Sequence, residues 1–296
     1  MITLITTLYR EDEDIFKRCF DRAFPYVDRA VVVHDDSISD EFLTWMLRCG
    51  IEAYLKKWDE NLSNQKNYAL QQVKEGEWVL ELDPDEIISK QLGQNLRQII
   101  KDSDDGKNYN IVSFKCLDIL KTDKKEIILH SVPEWEKELF YKYQKGMHYI
   151  RPTHQKMCAN LKGSKAPFLF YHIKTPEKWF RQYCNYYWRT GERIEERSKI
   201  WEDFREMCAL VNNITSWKEL HRRMKEGTLP DSIKEWIKEW RNDTYCVERR
   251  AFWTYYFEYL HPEQKPKGLK QDGGKLISIG NNVISLDEIL EEHEKD

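Results

Sequence analysis

Asp83-Pro84-Asp85-Glu86 puts three carboxylates into four residues, directly after the apolar run Trp78-Val79-Leu80-Glu81-Leu82. A second acidic pair, Asp35-Asp36, follows the run Ala30-Val31-Val32-Val33-His34. Closely spaced carboxylates at the end of a strand suit Mg²⁺ or Mn²⁺, hard cations that take oxygen ligands and bind through one or two carboxylates together with substrate phosphates. A D-x-D triplet alone is a weak signal, because surface turns are rich in aspartate. A buried strand delivering Asp83 and Asp85 to a sheet edge strengthens it, since open α/β sheets bind ligands at the carboxyl ends of their strands. The first glycine is Gly50, so the turn after the first strand cannot be a Gly-rich phosphate loop. That excludes P-loop and dinucleotide-binding proteins.

The elements that must position these acids are legible in the pattern. Residues 2–8 and 29–34 are β-branched runs, and between them Ile15, Phe16, Cys19, Phe20 and Phe24 recur at helical spacing. Further helices are expected at 40–49, 63–74 and 90–102, with strands at 51–55 and 77–83. Strands alternating with helices imply a parallel sheet. After Glu86 the strand candidates are 110–117, 126–131, 138–143 and 166–172. From Thr175 the pattern is mostly helical, with Trp179, Tyr183, Tyr186 and Tyr187 at helical spacing.

Composition narrows the class. The chain has 296 residues with 41% hydrophobic content, enough for a large core, and no stretch approaches the ~20 apolar residues of a membrane span. Seven cysteines are scattered without C-x-x-C spacing, which fits a reducing, cytoplasmic location better than a disulfide framework or zinc cage. Residues 142–275 carry 27 Lys and Arg against 17 Asp and Glu, a basic block in a chain of net charge −4. Arg222-Arg223, Arg249-Arg250 and the lysines from 265 to 270 would suit a polyanion if they shared a face; a solvated helical surface is the simpler explanation.

The segment Asn64-Gln65-Lys66-Asn67-Tyr68-Ala69-Leu70, followed by Gly76-Glu77-Trp78-Val79-Leu80-Glu81-Leu82-Asp83-Pro84-Asp85-Glu86, resembles the "A-R-N-x-A-L … G-x-W-I-L-x-L-D-A-D-E" signature of family-two glycosyltransferases. Val32-Val33-His34-Asp35-Asp36-Ser37-Ile38-Ser39-Asp40 is similar to that family's "V-V-D-D-G-S-T-D". The resemblance covers about the first ninety residues and implies an α/β, GT-A nucleotide-sugar-binding fold, a Rossmann-like mixed sheet with an appended helical C-terminal region. It implies donor contacts from Thr7, Tyr9 and Glu11 at the end of the first strand, base contacts from Asp35 or Asp36, and a place for Lys66 near the diphosphate. Asp83 would hold ribose or a metal water, and Asp85 would ligate a divalent metal, Mn²⁺ or Mg²⁺, bridging the donor diphosphate. Three departures stand out: Ser37 for the usual Gly, Lys66 for Arg, and Gln155 after His154 where many members have His-Glu.

Beyond Glu86 the match is fainter. Leu139-Phe140 … Gly146-Met147-His148-Tyr149-Ile150-Arg151-Pro152-Thr153-His154 and Phe170-Tyr171-His172 resemble the distal part of the family. A general base must take the acceptor proton, and Glu134, Glu136 and His154 are the candidates, with Asp118 in reserve. His172 would be a distal ligand to the metal or the nucleotide, or a satisfied core histidine. The expected organisation is a catalytic domain over 1–172, a helical acceptor or support region over 173–262, and over 263–296 a linker, small hairpin and acidic tail helix. The expected activity is inverting transfer of a sugar from a nucleotide-diphosphate sugar to an acceptor hydroxyl on a glycan or small molecule. Modified nucleic acid is the alternative acceptor, and a nucleotide-sugar-binding protein without transfer activity is the non-enzymatic alternative. A nucleotidyltransferase would show a Gly- and Arg-rich loop after the first strand, which Thr7-Leu8-Tyr9-Arg10 lacks.

Overall fold

In a computed structural model of the chain, the structure describes residues 1–59, 61–121, 126–129, 136–151, 155–175, 209, 213–214, 219–220, 222–223, 226–232 and 276–277. They fall into two compact units, the first comprising Met1–Ile119, Glu126–Ile173 and Ser278–Asp296, the second Leu120–Lys125 and Lys174–Ile277.

The first unit begins with alternating strands and helices: β1 (Ile2–Leu8), α1 (Glu13–Ala23), β2 (Arg29–His34), α2 (Asp40–Arg48), β3 (Glu52–Leu55), α3 (Leu62–Leu70) and β4 (Trp78–Glu81). A short β5 (Glu86–Ile88) leads to α4 (Lys90–Asp102), and strands follow: β6 (Ile111–Lys121), β7 (Glu126–Leu129), β8 (Glu136–Lys142), β9 (His148–Ile150), β10 (Lys156–Cys158) and β11 (Gly163–Lys174). The sheet order is β7-β6-β8-β4-β1-β2-β3, with β11 pairing β5 and β6. Strands β4, β1, β2 and β3 are parallel, whereas β8 runs antiparallel to both β4 and β6. This is the mixed, Rossmann-like α/β sheet expected of the GT-A class.

Strand alternation decides what covers each face. Ile2, Leu4, Ala30, Val32, Trp78 and Leu80 join a core with Phe16 and Phe20 of α1, Phe42 and Met46 of α2, and Leu92 and Leu96 of α4. Ile5, Val31, Val33 and Val79 face the other way, against Ala69 and Leu70 of α3. Both faces of the central strands are therefore buried, which explains their near-continuous apolar runs. Helices start on side-chain caps: Ser39 accepts from Phe42 N, Asn61 from Ser63 N and Ser89 from Leu92 N.

Helix α3 ends at Leu70, a turn earlier than the expected 63–74, and Gln71 caps it. Strand β5 was not expected; its three residues are too short for a period to show, and Ile87-Ile88 reads as the lead-in to α4. Strands β9 and β10 form a separate two-stranded ribbon. Among the described residues no helix is long and apolar enough to cross a membrane, and Cys19, Cys49, Cys116 and Cys158 are free thiols. Apart from scattered positions, the expected aromatic helices of 173–262 and the expected linker, hairpin and tail helix lie outside the described residues; Leu276–Ile277, within the expected hairpin, form a short strand. In the second unit Ile214, Leu220 and Leu229 are buried.

Gly93 of α4 lies directly against the Tyr26 ring. A Cβ there would overlap the Tyr26 ring, lying 2.8 Å from its Cγ and nearer still to its edge. Alanine would gain about 1 kcal/mol of helix propensity, but overpacking costs about 1–3 kcal/mol. Gly93→Ala is expected to lower the urea midpoint; a midpoint at or above the wild-type value would show that the ring moves aside freely.

Candidate active site

The site is built where β1 and β4 end. Ile5, Thr6, Thr7, Lys66, Ala69, Glu81, Leu82 and Asp83 line a recess there. Thr6 Oγ1 donates to the Leu82 carbonyl at 3.0 Å, tying the two strand ends together. Beyond Leu82 the chain turns sharply: Glu86 N reaches the Asp83 carbonyl at 3.0 Å, and Asp83 N donates to Glu86 Oε2 at 2.8 Å. Asp83 therefore stands at the rim, about 35% open, while Asp85 and Glu86 turn into the interior.

Strand β5 then fixes the partner of Asp85. It pairs with β11 in the register Ile88↔Phe170, Ile87↔Tyr171 and Glu86↔His172. Ile173 N donates to the Asp85 carbonyl at 2.7 Å, and His172 Nε2 lies 3.4 Å from Asp85 Oδ2. Two residues 87 positions apart, both singled out as metal ligands from the sequence, are thus brought together.

Four carboxylates crowd this edge, and two ammonium groups answer them. Lys66, on α3, reaches Glu81 Oε1 at 2.8 Å and Asp83 Oδ1 at 3.2 Å. Lys137, on β8, reaches Asp83 Oδ2 at 2.7 Å and Glu86 Oε1 at 2.6 Å. Glu81 also accepts hydrogen bonds from the Tyr141 hydroxyl at 2.7 Å and from the Tyr149 hydroxyl. Lys66 Nζ stands 5.5 Å from the centre of the Tyr149 ring.

The electrostatics follow from this arrangement. Burial opposes the charge on Asp83, but Lys137 and Lys66 outweigh it and hold the carboxyl well below the usual range. Glu81 behaves alike: burial pushes it up, and Lys66 with the two phenols brings it below its ordinary value. Burial also works against both lysines, yet Asp83 with Glu81 keeps Lys66 raised, and Asp83 with Glu86 keeps Lys137 raised. Glu86 goes the other way, because burial raises its carboxyl by more than Lys137 lowers it.

The other residues singled out from the sequence are placed as follows. Thr7 is buried at the recess, and Tyr9 packs edge-on to Trp58 with ring centres 5.4 Å apart. Asp35 is buried and accepts from Ser37 N at 3.0 Å and from the Ser37 hydroxyl; Asp36 is exposed. Glu136 pairs with Lys165 at 2.6 Å and, as the neighbour of Lys137 in β8, points to the opposite side of the strand. Glu134 and His154, with the side chains of Glu11 and Asp118, lie outside the described residues. Arg222 contacts Glu219 at 2.6 Å and also Glu226, and Arg223 contacts Glu219 at 2.7 Å, so the charge of this basic pair is locally matched.

Glu81, Lys137, Tyr141 and Tyr149 are site residues beyond those that the sequence pattern marks. Glu81 carried a signal: a carboxylate inside a strand buried on both faces must find an opposite charge. Lys137 carried none, because the link depends on the antiparallel entry of β8.

No protein-family model matches the chain, and no curated protein does. Among solved structures, S. aureus TarS (residues 1–349) is similar at 13% identity over 81% of this chain and 79% of that one, with a TM-score of 0.39. Glucosyl-3-phosphoglycerate synthase of Mycobacterium tuberculosis, in complex with Mn²⁺, UDP and glucosyl-3-phosphoglycerate, is similar at 14% identity over 39% and 44% of the two chains, with a TM-score of 0.31. Mannose-6-phosphate isomerase of Helicobacter pylori is similar at 15% identity over 42% of this chain, with a TM-score of 0.30, and the match spans only 51% of that protein. These overlaps are too low to carry weight, and the fold class stands on the strand order itself.

The Glu81 carboxyl has a consequence for stability. Its folded-state pKa lies below its ordinary value of 4.5, so its contribution is present above about pH 4.5 and is lost as pH falls through the lower folded value. Glu81→Gln is expected to be less stable than wild type at neutral pH, because it leaves Lys66 short of one buried partner. That difference is expected to shrink as pH falls below 4.5. Urea titrations of both proteins from pH 7 to pH 3 check this; a gap that stays constant would remove the charge from the explanation.

Proposed function

We propose that the chain is a glycosyltransferase that takes a sugar from a nucleotide-diphosphate donor with the help of a divalent cation. The observation that carries this reading is the meeting of Asp85 and His172 at the carboxyl edge of β4, beside the recess that Asp83, Lys66 and Thr7 line. Among the described residues no three His, Cys, Asp or Glu side chains converge as a complete metal cage. A pair does fit Mg²⁺ or Mn²⁺, which bind through one or two protein ligands and complete their shell with substrate phosphates. An imidazole beside a carboxylate suits Mn²⁺ better than Mg²⁺.

In this reading Asp85 and His172 hold the cation, which when bound supplies Lewis-acid neutralisation of the departing nucleotide diphosphate. Thr7, Tyr9 and Glu11 at the end of β1, and Asp35 or Asp36 at the end of β2, contact base and ribose. Lys66 places a fixed positive charge next to Asp83, near the diphosphate. Transfer proceeds with inversion, and the acceptor proton goes to Glu134, Glu136 or His154, of which Glu136 is the least favoured because it pairs with Lys165 on the side of β8 opposite Lys137. The catalytic domain occupies residues 1–172, the acceptor or support region 173–262, and the linker, hairpin and tail 263–296. A glycan or small molecule is the favoured acceptor; Arg222 and Arg223 already engage Glu219 and Glu226, and Arg249, Arg250 and the lysines from 265 to 270 lie outside the described residues.

Calorimetry with a panel of nucleoside diphosphates, with and without Mn²⁺, tests the donor reading. Wild type is expected to bind one of them in a Mn²⁺-dependent manner, and Asp85→Ala is expected to lose that dependence. Equal, metal-independent binding by both proteins would remove Asp85 from the metal site. Donor binding with no turnover against any acceptor in a glycan and small-molecule panel would favour a binding protein instead. A second measurement sorts the base candidates: the true one, replaced by Gln (Glu134, Glu136) or Ala (His154), is expected to lower turnover by about 10²- to 10⁴-fold while donor affinity stays near wild type.

A further inference from the structure

Lys137 is the second cation of the site, and the proposed donor binding gives it no task. Strand β8 runs antiparallel to β4, with Val79 opposite Tyr141 and Leu80 opposite Phe140. Continuing that register three residues carries Asp83 opposite Lys137, and the side chains do meet there, with Nζ 2.7 Å from Asp83 Oδ2. The antiparallel entry of β8 thus delivers a lysine to the edge where the parallel strands end and ligands bind.

The two oxygens of Asp83 face different lysines, Oδ1 toward Lys66 and Oδ2 toward Lys137. One rim aspartate therefore holds two ammonium groups on either side of itself. They are not equivalent. The Lys66 side chain is 9% exposed and is held below by Glu81, whereas the Lys137 side chain is 23% exposed. Of its two partners Glu86 is enclosed, at 1% exposure, whereas Asp83 is 35% exposed. An ammonium group has three N–H donors, and two of those on Lys137 point at Asp83 and Glu86.

A nucleotide diphosphate brings at least two negative charges to an edge that already holds Glu81, Asp83, Asp85 and Glu86. One divalent ion held by Asp85 and His172, together with Lys66, leaves that total negative, and a further positive group facing the phosphates lowers the cost. Two carboxylates hold Lys137 in place before any ligand arrives, so little reorganisation is needed. We propose that Lys137 is a donor-binding residue that contacts the diphosphate of the nucleotide donor from the Asp83 side, opposite Lys66. The inference rests on the nucleotide-sugar reading of this same site.

Calorimetry in Mn²⁺ with UDP, GDP, CDP and ADP identifies the diphosphate that wild type binds best, and the matching nucleoside serves as the control. Lys137→Met is expected to weaken the diphosphate by about 10- to 100-fold, as loss of a charge-assisted hydrogen bond does. The nucleoside is expected to bind as before, and Lys137→Arg, which keeps the charge, is expected to retain most of the affinity. Equal diphosphate affinity in wild type and Lys137→Met would overturn the proposal. So would equal losses for diphosphate and nucleoside, the signature of a merely structural lysine. Should Lys137→Met fail to fold, the double variant Lys137→Met/Glu86→Gln, which removes the buried acid with its partner, is compared with Glu86→Gln alone and read by the same criteria. If wild type binds no nucleoside diphosphate, the donor reading itself fails, an outcome distinct from a wild type that binds and a variant that binds equally.

Discussion

Everything at this site depends on the cost of placing four carboxylates within six residues at a mostly dry sheet edge. Glu81, Asp85 and Glu86 are buried and Asp83 is half-buried. An uncompensated buried carboxylate costs several kcal/mol even after the protein relaxes. The fold meets that cost with groups from three separate elements: Lys66 from α3, Lys137 from β8 and His172 from β11. Each of those elements must dock in one register for the charges to meet. The electrostatics of the site and the topology of the sheet are therefore one constraint.

The same constraint explains the division of labour along β4. Glu81 points to the α3 side, is buried, and is engaged by Lys66, Tyr141 and Tyr149. Its effect is to hold Lys66 under the recess. Asp83, two residues on, is the first carboxylate with an open face. Asp85, two residues further, turns inward to His172. The sharp turn closed by the Asp83 N–H to Glu86 contact converts a strand's alternation into three carboxylates with three different environments.

Much of the first ninety residues was legible because both faces of β1, β2 and β4 are buried, and apolar runs bounded by acids mark such strands plainly. The triplet at 83–86, the pair at 35–36, Lys66 and His172 could be named from type and spacing, and the structure gathers Lys66, Asp83, Asp85 and His172 at one edge. Non-local pairing hid the rest. Strand β5 has only three residues and exists because β11 pairs with it, and Lys137 meets Asp83 because β8 enters antiparallel. Neither relation leaves a periodic mark on the chain. The end of α3 was overrun for a local reason: Gln71-Gln72-Val73 continues a helical pattern, but Gly76 takes a positive φ of 85° and the chain must turn into β4.

Two departures from the glycosyltransferase pattern acquire physical meaning in the structure. Ser37 stands where glycine is usual, and its hydroxyl donates to Asp35 while accepting from Arg10 N at 3.1 Å. A hydroxyl can do both at once, so the serine ties the loop after β1 to the loop after β2, the two loops that would flank a bound base. Lys66 stands where arginine is usual. A guanidinium is a planar fork that suits one carboxylate or phosphate held face on, whereas an ammonium radiates its donors and serves partners in different directions. Glu81 lies below Lys66 and Asp83 beside it, so the point charge fits this edge. In the proposed donor binding, the second phosphate contact that a single lysine cannot make would fall to Lys137, which stands on the other oxygen of the same aspartate.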